Sequence, residues 1–143
     1  MGNGYRPTKV RGLLLVHDIL HNATGTQGLP WLFEASEMNP FTFNICINAQ
    51  TAKGKGIKEG DIVFMENQLG KRIKVPVHLV EGIHPETIAL TCGTGHWLES
   101  NLACGKGGHL NTLLESDLPH HDPIGMSIET AVRVKIYKAE EEQ

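Results

Sequence analysis

The chain has 143 residues, of which 40% are hydrophobic and 20% charged, and its formal net charge at pH 7 is −3. This length is typical of one domain, and the apolar content is sufficient for a buried core. The small net charge excludes a strong field for nucleic acid or an anionic membrane, and no apolar run approaches the roughly 20 residues that span a bilayer. The first apolar run, at residues 13–16, is too short for a signal peptide, so we expect a soluble chain.

Short apolar or alternating segments separated by glycine-rich turns make up most of the chain. In chain order we predict a loose arm (1–12), a strand (13–16), a polar loop (22–28), a helix (30–35), a strand (41–48), a helix (50–55), strands at 62–66, 71–79 and 87–91, a glycine-rich segment (92–108), an irregular loop (119–125), a strand (131–137) and an acidic tail (139–143). Six short strands with one or two small helices favour a β-dominated barrel or sandwich.

Two single residues refine these elements. Gly56 follows the second helix at the position where a left-handed glycine commonly ends a helix. Pro76 lies in the strand at 71–79, opposite in parity to its apolar face, and predicts a sheet edge or a bulge. That apolar face consists of Ile73, Val75, Val77 and Leu79.

Two loops combine glycines with threonine hydroxyls, Thr24-Gly25-Thr26 and Gly93-Thr94-Gly95. Glycine lets the main chain approach a ligand, so its N–H groups can donate directly to phosphate oxygens. Neither loop matches the P-loop or the G-x-G-x-x-G fingerprint, which disfavours the common nucleotide-binding folds. Ordinary turns of a β-rich protein are the alternative interpretation.

Metal ligation and nucleophilic catalysis have little support in the sequence. The three cysteines include no C-x-x-C pair, and His120-His121-Asp122 is not joined by a third and fourth ligand at a defined spacing. We therefore predict no metal bound directly by this chain. Cys46 lies in an apolar strand and is interpreted as a core residue, so no catalytic residue is predicted.

Asn48 ends one predicted strand where a helix begins. Its side chain either caps that helix or uses its donor and acceptor together to contact a ligand. The residues alone favour the cap.

Taken in order, seven segments resemble the C-terminal, molybdopterin-dinucleotide-binding domain of the dimethyl-sulfoxide-reductase family of molybdenum and tungsten oxidoreductases, with thiosulfate and polysulfide reductases most similar. The segments are ICINAQTA (45–52), GIKEGDIV (56–63), GKRIKVPV (70–77), EGIHP (81–85), GTGHW (93–97), DPI (122–124) and VRVK (132–135). The likeness covers residues 13–138, which we take as the domain. The family often has an arginine in the first loop and a proline after the strand-end asparagine, where this chain has Gly25 and Ala49.

The resemblance implies a six-stranded double-psi β-barrel that caps a molybdopterin guanine dinucleotide, with molybdenum or tungsten held by the cofactor and not by this chain. Carried over by position, the implied cofactor contacts are Thr24, Thr26, Asn48, Gly93, Thr94, Gly95, His96, Trp97 and Asn111. The implied partners are the remaining domains or a larger catalytic subunit, and an iron–sulfur subunit. The family's iron–sulfur and metal-ligand segments are not in this sequence, so we expect no turnover by this chain alone.

Two other classes of function compete with this one. Double-psi barrels also serve as interaction or substrate-recognition modules without a cofactor, and fold alone does not fix function. A small self-contained barrel enzyme such as a decarboxylase would need a nucleophilic or self-processing centre that the sequence does not supply. Convergence of Asn48, the loop 93–97 and Asn111 on one rim would favour the cofactor site, whereas scatter would favour the interaction module.

Overall fold

A computed structural model describes residues 13–17, 24–97, 101–128, 130 and 132–139. The strands within these ranges are β1 (Leu13–His17), β2 (Ile45–Asn48), β3 (Ile62–Asn67), β4 (Arg72–Val80), β5 (Thr87–Thr91) and β6 (Val134–Lys138). The helices are α1 (Pro30–Glu37) and α2 (Ala49–Gly54), with 3-10 turns at Thr24–Gly28, Leu110–Thr112 and Leu118–His120. The prediction of a mainly β chain with a few short helices is confirmed. The predicted arm at 1–12 and the tail beyond residue 139 lie outside the described residues.

The strands are hydrogen-bonded in the order β1-β5-β2-β4-β3-β6. β1 runs parallel to β5 and β2 parallel to β4, whereas the other neighbours are antiparallel. The long strand β4 changes partner along its length, because Arg72–Pro76 pair with β3 and Val77–Val80 pair with β2. The first half of β4 therefore has a strand partner on only one side among the described residues.

The position of Pro76 corrects one prediction. Its strand is not at the edge of the sheet, because β4 lies between β2 and β3. Pro76 is opposite Ile62, the first residue of β3, and pairing with β2 begins one residue later at Val77. Pro76, which has no N–H to donate, thus lies where β4 has a strand neighbour on only one side. At this point the strand is locally equivalent to an edge.

The core lies on one face of these strands. Ile73, Val75 and Val77 are buried as the alternation predicted, and they join a cluster completed mainly by Ile45, Ile47, Val63, Met65, Ile88, Leu90, Leu113, Val134 and Ile136. The predicted strand at 41–48 is shorter in the structure, since residues 41–44 form turns that begin at Asn39. Gly56 has the expected left-handed φ of 67° after α2. No helix in the described ranges is both long and apolar enough to cross a membrane.

Candidate functional site

Two glycine-containing loops pack backbone against backbone above the core. The Gly95 nitrogen donates to the Lys106 carbonyl at 2.8 Å, and a Cβ at Gly95 would lie 2.3 Å from the His109 backbone nitrogen. A Cβ at Gly107 would lie 2.7 Å from the Thr94 hydroxyl oxygen. Much of the glycine excess of this segment is therefore explained by a close approach that no other residue permits.

A cleft of about 480 Å³ opens between these loops and the first half of β4. The described residues that line it are Arg72, Ile73, Lys74, Gly95, His96, Trp97, Gly105, Gly107, Gly108, His109 and Thr112. Trp97 is 73% exposed, and its ring lies beside Gly105, where a Cβ would be 3.2 Å from the indole. The indole therefore presents an open aromatic face, which suits stacking against a planar ring system.

A smaller cavity of about 70 Å³ adjoins the cleft. Its lining consists of Cys92, Gly93, Thr94, His96, His109, Leu110 and Asn111. His96 and His109 line both spaces. The structure thus brings the predicted residues 93–97 and Asn111 together.

The charge of the cleft favours an anionic ligand. Arg72 and Lys74 are exposed along one wall, and no carboxylate belongs to the described lining. The His96 and His109 rings meet edge to face with their centroids 4.7 Å apart. Burial, and secondarily the neighbouring His96, lowers the pKa of His109. The ring of His109 also lies within hydrogen-bonding distance of Thr112, with Nδ1 3.2 Å from the hydroxyl oxygen.

Asn48 occupies a structural position outside this lining. Its Oδ1 accepts from the Gln50 nitrogen at 2.9 Å, so the helix-cap interpretation is confirmed. Its Nδ2 donates to the Ile83 carbonyl at 2.7 Å, which ties the cap to the turn after β4. Because both side-chain atoms already have protein partners, contact between Asn48 and a cofactor stays a prediction.

The first predicted phosphate loop also lies outside the described lining of the cleft. Thr24–Gly28 forms a 3-10 turn, in which the Thr26 carbonyl accepts from the Leu29 nitrogen. Gln27 beside it is fully buried, and among the described residues neither nitrogen nor oxygen of its amide has a hydrogen-bond partner. The predicted roles of Thr24 and Thr26 stay predictions.

Four of the lining residues that the sequence interpretation missed have polar or charged side chains, and these are Arg72, Lys74, His109 and Thr112. The alternation of residues 71–74 assigns the two cations to a solvent-facing side of β4. Only the pairing of distant strands shows that β2 does not cover this part of β4, which leaves it beside the cleft.

Other reactive groups lie elsewhere or are inert. Burial, with a smaller effect of Glu59, raises the pKa of the Cys46 thiol to about 11, so this cysteine is protonated at neutral pH. His120 pairs with Glu115 and Asp117, and His121 contacts the Asp117 carbonyl at 2.8 Å. Within the part of the chain that the structure describes, no group of three or more His, Cys, Asp or Glu residues could hold a metal ion.

Residues 13–133 match the family model described as "Molydopterin dinucleotide binding domain". The chain belongs to the molybdopterin-dinucleotide-binding domain family. This finding confirms the predicted relationship to the dimethyl-sulfoxide-reductase family and a molybdopterin dinucleotide as the cofactor. The described cleft fits such a group, because its cations suit phosphates and its exposed indole suits the aromatic rings.

Two curated relatives of this domain are much longer proteins, and this chain matches only a part of each. The chain is 32% identical over 96 residues to the menaquinone reductase molybdopterin-binding-like subunit of Nitratidesulfovibrio vulgaris, covering 66% of this chain and 13% of that protein. It is 36% identical over 96 residues to the thiosulfate reductase molybdopterin-containing subunit PhsA of Salmonella typhimurium, covering 66% and 12%. The chain thus spans about an eighth of the length of these relatives.

A solved structure shares the fold of this domain. Acetylene hydratase from Pelobacter acetylenicus superposes with a TM-score of 0.67 at 16% sequence identity. The match covers 91% of this chain and 18% of that one. At this level of identity the likeness concerns the fold alone.

Proposed function

We propose that this domain binds and caps a molybdopterin guanine dinucleotide within a molybdenum or tungsten oxidoreductase similar to thiosulfate or polysulfide reductases. The observation that carries the proposal is the cleft between the glycine loops and the first half of β4, with Trp97 open on one wall and cations on another. When bound, the cofactor supplies the metal and its redox chemistry. The residues of this chain bind the cofactor, orient it and shield it from water.

The roles of the individual residues follow from their chemistry. Trp97 stacks against an aromatic ring of the cofactor, while His96 and Asn111 offer polar atoms to its edges. Gly93, Thr94 and Gly95 keep the loop close to the ligand. The Gly95 N–H already donates to the Lys106 carbonyl in the other glycine loop. Thr24, Thr26 and Asn48 are assigned to cofactor contacts outside the described lining.

The proposed domain comprises residues 13–138, flanked by the arm at 1–12 and the tail at 139–143. Its proposed partners are the remaining domains of an oxidoreductase or a larger catalytic subunit, and an iron–sulfur subunit. The short coverage of both curated relatives supports a role as one component. We expect no substrate turnover by this chain alone, because its own residues provide binding and positioning.

We also propose that the strands close into a six-stranded double-psi barrel. The mixture of parallel and antiparallel neighbours supports this arrangement. Closure requires β1 and β6, the two ends of the strand order, to meet.

Nuclear magnetic resonance titration with guanosine diphosphate tests the proposed function. This probe represents the nucleotide half of the cofactor, and we expect millimolar binding because the isolated chain provides only part of the contacts. Signals of Gly95, His96 and Trp97 should shift on titration, and Trp97→Ala should weaken binding about tenfold through the lost stacking surface. Trp31→Ala is the matched control, since Trp31 is 72% exposed on α1 and does not line the cleft.

A second titration, with the complete guanine dinucleotide form of molybdopterin, separates the competing functions. It is carried out in the presence of the remaining domains or the larger catalytic subunit. The signals of Asn48 and Asn111 should then shift together with that of His96. Shifts confined to residues outside these loops would contradict the cofactor site and favour an interaction module.

A further inference from the structure

The first half of β4 has an unpaired side that faces the cleft. The Val77 nitrogen donates to the Asp61 carbonyl at 3.0 Å, and the Lys71 carbonyl accepts from the Asn67 nitrogen at 2.9 Å. These odd-numbered residues therefore direct their peptide groups, the backbone N–H and C=O, towards β3. Because hydrogen bonding alternates along an antiparallel ladder, the peptide groups of Arg72 and Lys74 point to the opposite side.

No described strand occupies that opposite side. β2 pairs with β4 only from Val77 onwards. The cleft lies along this stretch instead, since the consecutive residues Arg72, Ile73 and Lys74 line it together with the glycine loop 105–109. A Cβ at Gly108 would be 2.8 Å from the side chain of Ile73. The cleft consequently runs along a strand edge that carries two cationic residues.

Neighbouring side chains hold Arg72 in position. Its guanidinium carbon lies 4.6 Å from the centre of the Phe64 ring, a cation–π contact that restrains the planar group. The nearby carboxylate of Glu66 accepts from the Tyr137 hydroxyl at 2.8 Å and from Lys135 at 3.2 Å. Glu66 is thus hydrogen-bonded by other donors, and among the described residues no carboxylate forms an ion pair with Arg72.

We propose that the unpaired edge of β4 at Arg72 and Lys74 is the phosphate-binding wall of the cleft. Two cations lie on one edge, where backbone N–H groups alternate with carbonyls. The cations and the N–H groups suit the oxygens of a pyrophosphate, and Trp97 across the cleft accommodates the attached ring. This inference rests on the proposed function, to which it adds the residues that bind the phosphates.

Titration of the full chain with inorganic pyrophosphate and with guanosine tests the assignment. The backbone signals of Arg72 and Lys74 should shift with pyrophosphate, and the signal of the Trp97 indole should shift with guanosine. Arg72→Gln and Lys74→Gln should each weaken pyrophosphate binding about tenfold, because each removes one charge-assisted contact. Lys71→Gln is the control, since it removes the same charge from an exposed neighbour outside the cleft lining and should change the affinity less than twofold.

The outcomes separate this inference from the proposed function. Unchanged pyrophosphate affinity in an Arg72→Gln, Lys74→Gln double variant would overturn the phosphate wall, while guanosine binding at Trp97 would still support the cofactor site. Absence of shifts in the cleft with every probe, guanosine diphosphate included, would overturn both. Equal losses in all three single variants would indicate a diffuse charge effect and would also overturn the wall.

Discussion

Two histidines of the cleft, His96 and His109, form an edge-to-face pair. His109 is half-buried beside His96, and burial is the larger cause of its lowered pKa. An imidazolium at His109 loses hydration and is disfavoured electrostatically by the neighbouring His96 ring. The folded chain therefore binds fewer protons at His109 than the unfolded chain does, between the lowered pKa and the ordinary value near 6.5.

This proton difference predicts how stability depends on pH. The lowered pKa of His109 means that unfolding takes up protons in that window, so the free energy of unfolding should fall as the pH drops below about 6.5. Urea denaturation at several pH values should show a smaller acid loss in His109→Gln than in the natural chain. His84→Gln, which changes an exposed histidine outside the cleft, should retain the full loss. Identical profiles for all three proteins would contradict the assignment to His109.

At the scale of elements, the cleft depends on the contact between its two glycine loops. Gly95 combines a φ of 79° with the close approach to His109, whereas Gly60 has a φ of 76° and no atom within 4 Å of an added Cβ. Comparing these two glycines therefore separates the cost of a left-handed backbone conformation from the cost of a steric clash.

We expect Gly95→Ala to destabilise the fold by about 3 kcal/mol or more, because the loops must move apart in addition to the strain of a left-handed alanine. Gly60→Ala should cost only about 1–2 kcal/mol, the conformational strain alone. Thermal and urea unfolding measure both differences. Equal losses would show that the close approach contributes nothing.

The sequence predicts the elements of this fold better than their arrangement. Alternation located β4, and Asn48 is correctly interpreted as a cap, because side-chain parity and capping are local properties. The position of β4 between β2 and β3 depends on pairings between distant segments, and it made the edge prediction for Pro76 wrong. The same long-range order brings Arg72 to the glycine loops, so local patterns could not assign this residue to the site.

At the scale of the whole molecule, the strand pairing has an internal two-fold relation. Exchanging β1, β2 and β3 with β4, β5 and β6 maps the parallel pair β1–β5 onto the parallel pair β4–β2. It maps the antiparallel pairs β2–β5 and β3–β6 onto themselves. The remaining antiparallel pair, β3–β4, maps onto β6–β1. These two strands do not pair with each other within the described residues. This relation supports the proposed barrel, since β6–β1 is the pair that would close it.

Amide hydrogen exchange resolved to single residues tests this closure. In a closed barrel, both sets of alternating N–H groups in β1 and β6 are hydrogen-bonded, so protection should be continuous along Leu13–His17 and Val134–Lys138 and within about tenfold of that in β5. Strand β5 is the internal reference, because it pairs with β1 on one side and β2 on the other. In an open sheet, every second amide of β1 and β6 would face away from its one partner and exchange rapidly. An alternating pattern of protection in β6 would therefore contradict the double-psi barrel while leaving the cleft between β4 and the glycine loops unaffected.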